Sequence, residues 1–281
     1  MLVRDLLDAH KSDFTAAERR VIPFLRDPSR LIELQSITKL AEAAEVSTPT
    51  IIRLARKLGF DGYPDLHSAV RSELAERIKQ PLAKLQAHPL RGQGDHIFNE
   101  FAQAVVANVN ATINQIDLSQ FDATARMLAD PTRRIGLIGG RITWPVAHYF
   151  ANHLHIIRPD VTLLNPSQNA WPQSVLDMDA SAILIIFDIR RYEKKIARLT
   201  RLAQSRKATI ILFTDQWGSP IENEADICFR VPVQAPSSWD STIALNFLVE
   251  ALVAQVQRTA PESTAARIAE MENLIGNSGI F

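Results

Sequence analysis

The sequence predicts an α/β protein in two parts, an all-helical N-terminal domain followed by a doubly wound α/β domain. In the first 79 residues apolar side chains recur at helical spacing, as in Val21, Phe24 and Leu25, and no strand pattern interrupts them. Beyond residue 95, short runs of Ile, Leu and Val alternate with helical patterns, which is typical of a parallel sheet covered by helices on both faces. These runs predict five strands, at 135–138, 161–164, 183–187, 210–213 and 227–231.

Between the two parts, Pro81, Pro89, Gly92 and Gly94 break the helical periodicity. We therefore expect domains at 1–79 and 96–281 joined by a linker at 80–95. The second domain opens with a long helix that carries an apolar stripe, and this stripe packs either on its own domain or on a partner subunit. Its members are Phe98, Phe101, Val105, Val109, Thr112, Ile113 and Ile116.

Composition narrows the class of protein. The chain has 281 residues, 46% of them hydrophobic, and a formal net charge of zero, so a protein that coats nucleic acid through its global field is excluded and any DNA contact must be local. Its single cysteine, Cys228, excludes an internal disulfide and lies in a strand-like run that predicts a buried thiol. No apolar run approaches the roughly 20 residues that cross a bilayer, and no signal segment opens the chain, so we expect a cytoplasmic protein without membrane contact.

Residues 36–58 carry a helix-turn-helix pattern. Leu40 and Ala41 fall on the inner face of the first helix, and Val46 fills the turn. Glu45 stands where such turns often hold glycine, at some conformational cost. Ser47 is suited to cap the second helix and Pro49 to its first turn. The buried stripe of the second helix is Ile51, Leu54, Ala55 and Leu58.

The other side chains of the second helix are expected on or near its exposed side. Hydroxyls near a helix start can meet phosphate or base edges, and an arginine can read guanine with two hydrogen bonds. We expect Arg53 to contribute to specific binding and Lys57 to contact phosphate. The predicted DNA-binding residues are Ser47, Thr48, Thr50, Arg53, Arg56 and Lys57. An ordinary helical hairpin with solvated charges, or a helical domain that binds protein, explains the same pattern.

The segment from 54 to 66, Leu-Ala-Arg-Lys-Leu-Gly-Phe-Asp-Gly-Tyr-Pro-Asp-Leu, resembles the N-terminal domain of RpiR-type bacterial transcriptional regulators. The matching positions are Lys57, Leu58, Gly59, Phe60, Gly62, Tyr63, Asp65 and Leu66. The resemblance implies a C-terminal sugar isomerase (SIS) domain with a five-stranded parallel sheet, which senses phosphosugars or related metabolites. It also implies double-stranded operator DNA as a partner and a homodimer or homotetramer as the assembly.

Ligands of open α/β sheets bind beyond the carboxyl ends of the strands. The loop after the first predicted strand is Gly139-Gly140-Arg141-Ile142-Thr143, in which glycines admit a ligand, Arg141 adds positive charge and Thr143 can cap a helix and donate a hydrogen bond. By resemblance, Gly139 and Thr143 occupy the SIS positions of the first glycine and a ligand-contacting serine.

The third strand departs from the usual SIS pattern. Typical SIS domains carry Ser-x-Ser-Gly-x-Thr there, whereas this chain has Phe187-Asp-Ile-Arg-Arg-Tyr192. Two arginines replace the hydroxyls, and an arginine guanidinium can bind a carboxylate or phosphate group through two parallel hydrogen bonds. We therefore expect a small anionic effector, a phosphosugar or an organic acid, with Asp188 orienting an arginine or accepting a ligand hydroxyl. The candidate set is Gly139, Gly140, Arg141, Thr143, Asp188, Arg190, Arg191 and Tyr192.

Other interpretations of this edge stay open. Asp188 can instead form a structural ion pair with an arginine, leaving Arg191 solvated. Thr214, Asp215 and Ser219 are expected as turn and cap residues, and the stretch 237–241 either closes over a ligand or caps the next helix.

A sugar-phosphate isomerase is the alternative function. It needs a base beside a substrate carbon, and none can be assigned from the sequence, so we expect no enzymatic activity. His148 and His153 are five positions apart rather than the four of helical zinc sites, and neither a metal nor a cofactor is predicted.

Overall fold

The computed structural model describes residues 3–10, 13–26, 36–78 and 96–279. The chain divides into two compact units, Met1–Lys84 and Leu85–Phe281. The linker expected at 80–95 lies outside the described residues, and the domain boundaries stay predictions.

The described part of the first unit is helical throughout. Its helices share one apolar core, in which Leu7, Val21, Leu40, Leu54 and Leu66 are all fully or almost fully buried. The elements are α1 (Val3–Ala9), α2 (Ala16–Arg26), α3 (Ile37–Ala43), α4 (Thr48–Lys57) and α5 (Tyr63–Ile78).

Helices α3 and α4 end in the same hydrogen-bond pattern. After α3 the amide of Val46 donates to the carbonyl of Ala41 over 2.9 Å, and after α4 the amide of Phe60 donates to Ala55 over 3.0 Å. Both patterns need a left-handed residue one position earlier. Gly59 supplies it with φ +89°, while Glu45 adopts φ +53°. The strained turn expected at Glu45 is therefore confirmed.

The second unit is an α/β domain with a five-stranded, all-parallel sheet in the order β2-β1-β3-β4-β5. The sequence-predicted fold class is confirmed, because Ile, Leu and Val runs buried on both faces form the central strands. Its strands are β1 (Arg134–Gly139), β2 (Val161–Leu163), β3 (Ala182–Asp188), β4 (Thr209–Asp215) and β5 (Ile227–Val231).

Helices cover both faces of this sheet. Successive residues of β3 serve opposite cores: Ile183, Ile185 and Phe187 face one, and Leu184 and Ile186 the other. The helices are α6 (Ile97–Gln115), α7 (Leu118–Ala129), α8 (Trp144–Ile157), α9 (Trp171–Leu176), α10 (Lys194–Ser205), α11 (Ile243–Thr259) and α12 (Pro261–Ser278), with 3₁₀ turns at Gln168–Ala170 and Glu222–Glu224.

A phenylalanine cluster supports the carboxyl edge of the sheet. The rings of Phe187 and Phe213 stack with centroids 4.6 Å apart, and Phe150 meets both edge-on. Each of these side chains is fully buried. Aromatic pairs add about 0.5–1.5 kcal/mol each to the gain from burial, so the two central strands are held firmly just where they end.

Helix α6 confirms the predicted stripe in part, because Thr112 is buried and Phe101, Val105, Val109 and Ile116 are half-buried. Its buried residues are Asn108 and Thr112, whereas Phe98 is 73% exposed and Ile113 is 51% exposed. The Asn108 side chain donates to the carbonyl of Gln234 over 2.7 Å. Polar contacts of this kind therefore help to fix the orientation of α6, and of the predicted stripe only Phe98 and Ile113 are exposed.

Two smaller expectations concern burial and membrane contact. Cys228 is half-buried rather than fully buried as predicted, because β5 lies at the sheet edge; burial raises the pKa of its thiol to about 12. Within the described ranges, every helix is too short or too polar to span a bilayer.

Candidate functional site

The exposed side of α4 carries only part of the predicted DNA-binding set. Ser47, Arg53 and Arg56 are exposed and Thr48 is half-buried. Together they form a compact polar surface opposite the buried stripe, at the start and along the outer side of the helix. The other two predicted residues have different positions.

Thr50 is a correction, because it is only 6% exposed. Its hydroxyl lies 2.9 Å from that of Ser47 and accepts a hydrogen bond of 3.3 Å from Nη2 of Arg53. Ser47 occupies the N-cap position as predicted, but its side chain makes no capping bond to the helix backbone. Thr50 therefore positions the exposed Ser47 and Arg53 side chains from beneath.

Lys57 is only partly exposed, and its Nζ already has partners within the first unit, so its phosphate contact stays a prediction. Its Nζ lies 2.7 Å from Oε2 of Glu18, donates to the carbonyl of Asp13 over 2.9 Å and lies 5.9 Å from the centre of the Phe14 ring. Glu18 is 4% exposed and forms a capping box with Thr15 at the start of α2. Lys57 thus fastens the end of α4 to the start of α2.

Burial and hydrogen bonding compete at Glu18. Burial raises the pKa of its carboxyl, but hydrogen bonds from Lys57 and Thr15 more than offset this, and the net result is a lowered pKa. The carboxylate is therefore charged when Lys57 binds it.

The acidic turn residue Glu45 has a basic neighbour. Arg20 of α2 donates to the Glu45 carbonyl over 3.2 Å, and the two side chains lie 3.9 Å apart. Both are largely exposed, so this pair adds little stability. It does offset the negative charge that the turn carries.

In the second unit, Thr143 joins the ends of β1 and β3. Its hydroxyl donates to the carbonyl of Phe187 over 2.6 Å and accepts from the amide of Gly140 over 2.9 Å. Gly139 has no room for a side chain, because a Cβ there would lie 2.6 Å from the backbone of Thr143 and Trp144. Thr143 is 2% exposed, so the prediction that it donates to a ligand or caps α8 with its side chain is wrong for this conformation.

A carboxylate of the chain itself already contacts the β1–α8 loop. Oε1 of Glu193 accepts a 2.8 Å hydrogen bond from the amide of Arg141, and its other oxygen lies 2.8 Å from Nζ of Lys195. A Cβ on Gly140 would come within 3.1 Å of the same carboxylate. The loop thus binds an acidic group in the way predicted for a ligand, while the Arg141 side chain is exposed.

Asp215, at the end of β4, organises the loop after β3. Its fully buried carboxylate accepts hydrogen bonds from the Arg190 amide over 2.6 Å, the Tyr192 hydroxyl over 2.7 Å and the Trp217 amide over 3.0 Å. The bond from Trp217 fits the turn role predicted for Asp215. The other two fix the predicted ligand loop, in which Arg190 and Arg191 have φ of +39° and +29°.

Arg190 is buried and paired. Its Nε lies 2.6 Å from Oδ2 of Asp240, and its guanidinium lies 3.9 Å from the centre of the Trp217 ring. The arginine and aspartate side chains are 7% and 11% exposed. The stretch 237–241 therefore reaches this edge through Asp240, whereas Arg191 is exposed.

Asp188 does not take the arginine-orienting role that we expected. Its carboxylate accepts from the Ser219 hydroxyl over 2.5 Å and from the Glu193 amide over 3.3 Å. Burial raises the pKa of Asp188 to about 7, with the charges of Glu193 and Asp215 adding to the rise and the two hydrogen bonds opposing it. Burial thus holds the pKa of Asp188 well above the usual range of an aspartate.

The structure brings half of the predicted ligand set together, joins it to Asp215, Ser219 and the 237–241 stretch that the sequence placed at this edge, and adds Glu193, which the sequence did not identify as a site residue. The carboxyl edge gathers Thr143, Asp188, Arg190 and Tyr192 with Glu193, Asp215, Ser219 and Asp240. His148 and His153, which the sequence analysis considered as metal ligands, pack on aromatic rings: His148 on Trp144 and His153 on Tyr149.

Both units match known families. Residues 1–77 match the helix-turn-helix domain of the rpiR family, and residues 127–255 match the SIS domain. The chain is 26% identical over 214 residues to an uncharacterised HTH-type transcriptional regulator of Haemophilus influenzae, covering 75% of this chain and 73% of that protein. It is 22% identical over 240 residues to the HTH-type transcriptional regulator HexR of Pseudomonas aeruginosa, covering 82% and 80%.

A solved structure has the same overall fold. The Vibrio vulnificus NanR protein, complexed with ManNAc-6P, aligns with a TM-score of 0.63 at 20% identity over 98% of both chains. The chain belongs to the RpiR family of transcriptional regulators with a SIS domain. The predicted family resemblance is therefore confirmed.

The Lys57 contact of this RpiR-family regulator can be tested through stability. We expect Lys57→Ala to lower the free energy of unfolding by about 2 kcal/mol, because the buried Glu18 carboxylate loses its charged partner. Urea denaturation followed by helical circular dichroism measures this. Arg56→Ala, one position away and exposed, should change it by less than about 0.5 kcal/mol. Equal effects of the two substitutions would contradict the structural role of Lys57.

The raised pKa of Asp188 predicts a pH-dependent stability. Since the folded pKa is about 7 against 3.8 in a model peptide, the neutral carboxyl favours the folded state, and this advantage is lost as the pH rises through 7. The free energy of unfolding of the wild type minus that of Asp188→Asn should therefore fall between about pH 4 and pH 7 and level off at higher pH. Asp179→Asn, at an exposed carboxylate, is the control and should follow the wild-type profile. A constant difference for Asp188→Asn would refute the shift.

Proposed function

We propose that this RpiR-family regulator binds operator DNA through α4 and that a small anionic metabolite, a phosphosugar or an organic acid, changes this binding from the carboxyl edge of the sheet. One observation carries the proposal. Two residues of the predicted anion-binding set already hold carboxylates of the chain itself, Arg141 through its backbone amide and Arg190 through its guanidinium. The edge therefore already binds the chemical group that such an effector would present.

The DNA half of the proposal depends on the outer side of α4. Arg53 and Arg56 are exposed and lie about one helical turn apart. The Arg53 guanidinium donates a hydrogen bond to the Thr50 hydroxyl, which orients the Arg53 side chain. An arginine near the middle of a recognition helix reaches base edges, and one nearer its end reaches phosphate. We assign these roles to Arg53 and Arg56 respectively, with Ser47 and Thr48 at the helix start as further contacts. Arg56 takes the phosphate role that the sequence suggested for Lys57.

The effector half depends on arginines in place of hydroxyls. The NanR structure contains ManNAc-6P, which supports a phosphosugar as one effector class in proteins of this fold. In the present chain the loop after β3 carries Arg190 and Arg191, and an arginine fork binds phosphate and carboxylate alike. An effector has to displace Glu193 from the Arg141 amide or Asp240 from Arg190. It acts only if its affinity differs between the conformations that do and do not bind operator.

One observation bears on the isomerase alternative. Asp188 has a pKa of about 7, which suits a general base. However, it is only 3% exposed and its oxygens bind Ser219 and the Glu193 amide. We therefore favour the regulator, and sugar-phosphate turnover that is abolished in Asp188→Asn would overturn this choice.

The DNA-binding roles can be separated by substitution. Arg53→Ala should weaken binding to a genomic operator about tenfold and binding to random duplex much less, because base contacts are lost. Arg56→Ala should weaken both alike and reduce the salt dependence by about one phosphate contact. Fluorescence anisotropy at several salt concentrations measures both effects.

The control for these DNA measurements is Arg198→Ala, at an exposed arginine of α10, which should bind like the wild type. Two results contradict the proposal. One is equal loss of specific and random binding in Arg53→Ala. The other is a wild-type protein that, with and without candidate effectors, prefers no duplex from its own genome.

The effector site can be tested with a panel of phosphosugars and organic acids by isothermal titration. Arg190→Ala and Arg141→Ala should abolish or weaken binding of any active compound. Glu193→Gln should strengthen it, because a neutral amide no longer repels the anion or competes for the Arg141 amide as strongly. Asp179→Asn should leave it unchanged. Unchanged binding in both arginine variants would exclude this site.

A further inference from the structure

A short connection joins the last strand to the central helix of the second unit. Residues 232–242, here called the strap, run from the end of β5 to the start of α11. The amide of Val233, in the strap, donates a 3.0 Å hydrogen bond to the side chain of Gln216, in the loop after β4. Its own turn is closed by the Ser241 amide, which donates to the carbonyl of Val233 over 2.8 Å. Asp240 of the strap forms the ion pair with Arg190 described above.

The Asp240–Arg190 pair has the character of an exchangeable contact. Both side chains are about nine-tenths buried, and at such sites the cost of removing two charges from water nearly cancels their attraction. An external anion that takes the place of Asp240 restores the attraction and lets the aspartate return to water. The net cost of the exchange is therefore small compared with the cost of leaving Arg190 without an anion.

Arg190 is fixed independently of Asp240. Its backbone amide binds Asp215, and its guanidinium packs on the Trp217 ring. Neither contact involves the strap. The arginine therefore keeps its place when Asp240 leaves, and the strap is the part that moves.

We propose that Asp240 is an internal competitor of the effector: the acidic group of the metabolite replaces the Asp240 carboxylate on Arg190 and so releases the strap. This inference rests on the proposed function and names its regulation. It requires an effector with an exposed carboxylate or phosphate, because a neutral sugar has no group that replaces the aspartate.

Release of the strap reaches the helices through α11. The first turns of α11 follow the strap directly, and α11 packs against α6, α7 and α8. Leu245, Leu248 and Leu252 of α11 are buried in the core on that face of the sheet. A change at the start of α11 is therefore passed to several helices at once, whereas a change in an isolated loop would stay local.

Inorganic phosphate is a suitable probe, because it tests the exchange without knowledge of the effector. If the pair is closed nine-tenths of the time, its removal strengthens anion binding about tenfold. Full-length Asp240→Asn should therefore bind phosphate about tenfold more tightly than the wild type in isothermal titration. Asp240→Glu, which keeps a carboxylate, should bind like the wild type, and so should Asp179→Asn, which removes the Asp179–Arg134 pair at the opposite edge of the sheet. The double variant Arg190→Gln/Asp240→Asn should lose the gain.

A second measurement needs no substitution. Saturating phosphate should speed hydrogen exchange of the strap amides in the wild-type protein, notably that of Ser241, while strand β3 stays protected. Failure of either expectation overturns the competition: equal phosphate affinity in Asp240→Asn and wild type, a gain that persists in the double variant, or strap exchange that phosphate leaves unchanged. The proposed function fails differently, through a panel in which no metabolite alters operator binding.

Discussion

The buried carboxylate of Asp215 is the contact on which the candidate effector site depends. It accepts hydrogen bonds from the Arg190 amide, the Tyr192 hydroxyl and the Trp217 amide, and so ties the loop after β3 to the loop after β4. Two successive residues other than glycine at positive φ cost about 1–3 kcal/mol each, and such strain persists only where the surroundings fix it. Asp215 supplies that constraint. As a result the Arg190 side chain turns toward Trp217 and Asp240 instead of relaxing into solvent.

Around this constraint, the edge combines rigid and adjustable parts. Thr143 locks β1 to the end of β3, and stacked Phe187 and Phe213 support the two strands from below. Against this fixed frame, two carboxylates approach from separate segments, Glu193 from the start of α10 and Asp240 from the strap. On our proposal an effector replaces one of these carboxylates, and donors that are already held in place bind the incoming acidic group without a cost of rearrangement.

The sequence predicted the fold well because its main signals are local. Buried parallel strands read as Ile, Leu and Val runs, and the ends of α3 and α4 follow from short-range hydrogen bonds. Contacts between distant residues left no such pattern. Asp240 lies fifty positions after Arg190, and Lys57 meets Glu18 across 39 positions, so neither pair shows in any periodicity. On α6 the fully buried residues are the polar Asn108 and Thr112, and the Asn108 side chain binds the Gln234 carbonyl 126 positions away, a contact that no periodicity shows.

The α4 surface and the carboxyl edge of the sheet share one feature. On each, a basic side chain that we expected to bind an external anion binds a carboxylate of the chain itself. The Lys57–Glu18 and Arg190–Asp240 pairs differ in how much structure would be disturbed if an external anion replaced the internal carboxylate. Glu18 is also bound by Thr15 in the capping box of α2, so losing Lys57 would disturb a helix start, whereas Asp240 belongs to a connection between elements. Lys57 is therefore structural, and each recognition helix offers Arg53 and Arg56 as its exposed cations. The chain has no net charge to supply long-range attraction, so a protein with so few contacts per subunit would gain affinity if two copies bound together. An effector that alters how the copies pair would then control operator binding without touching α4.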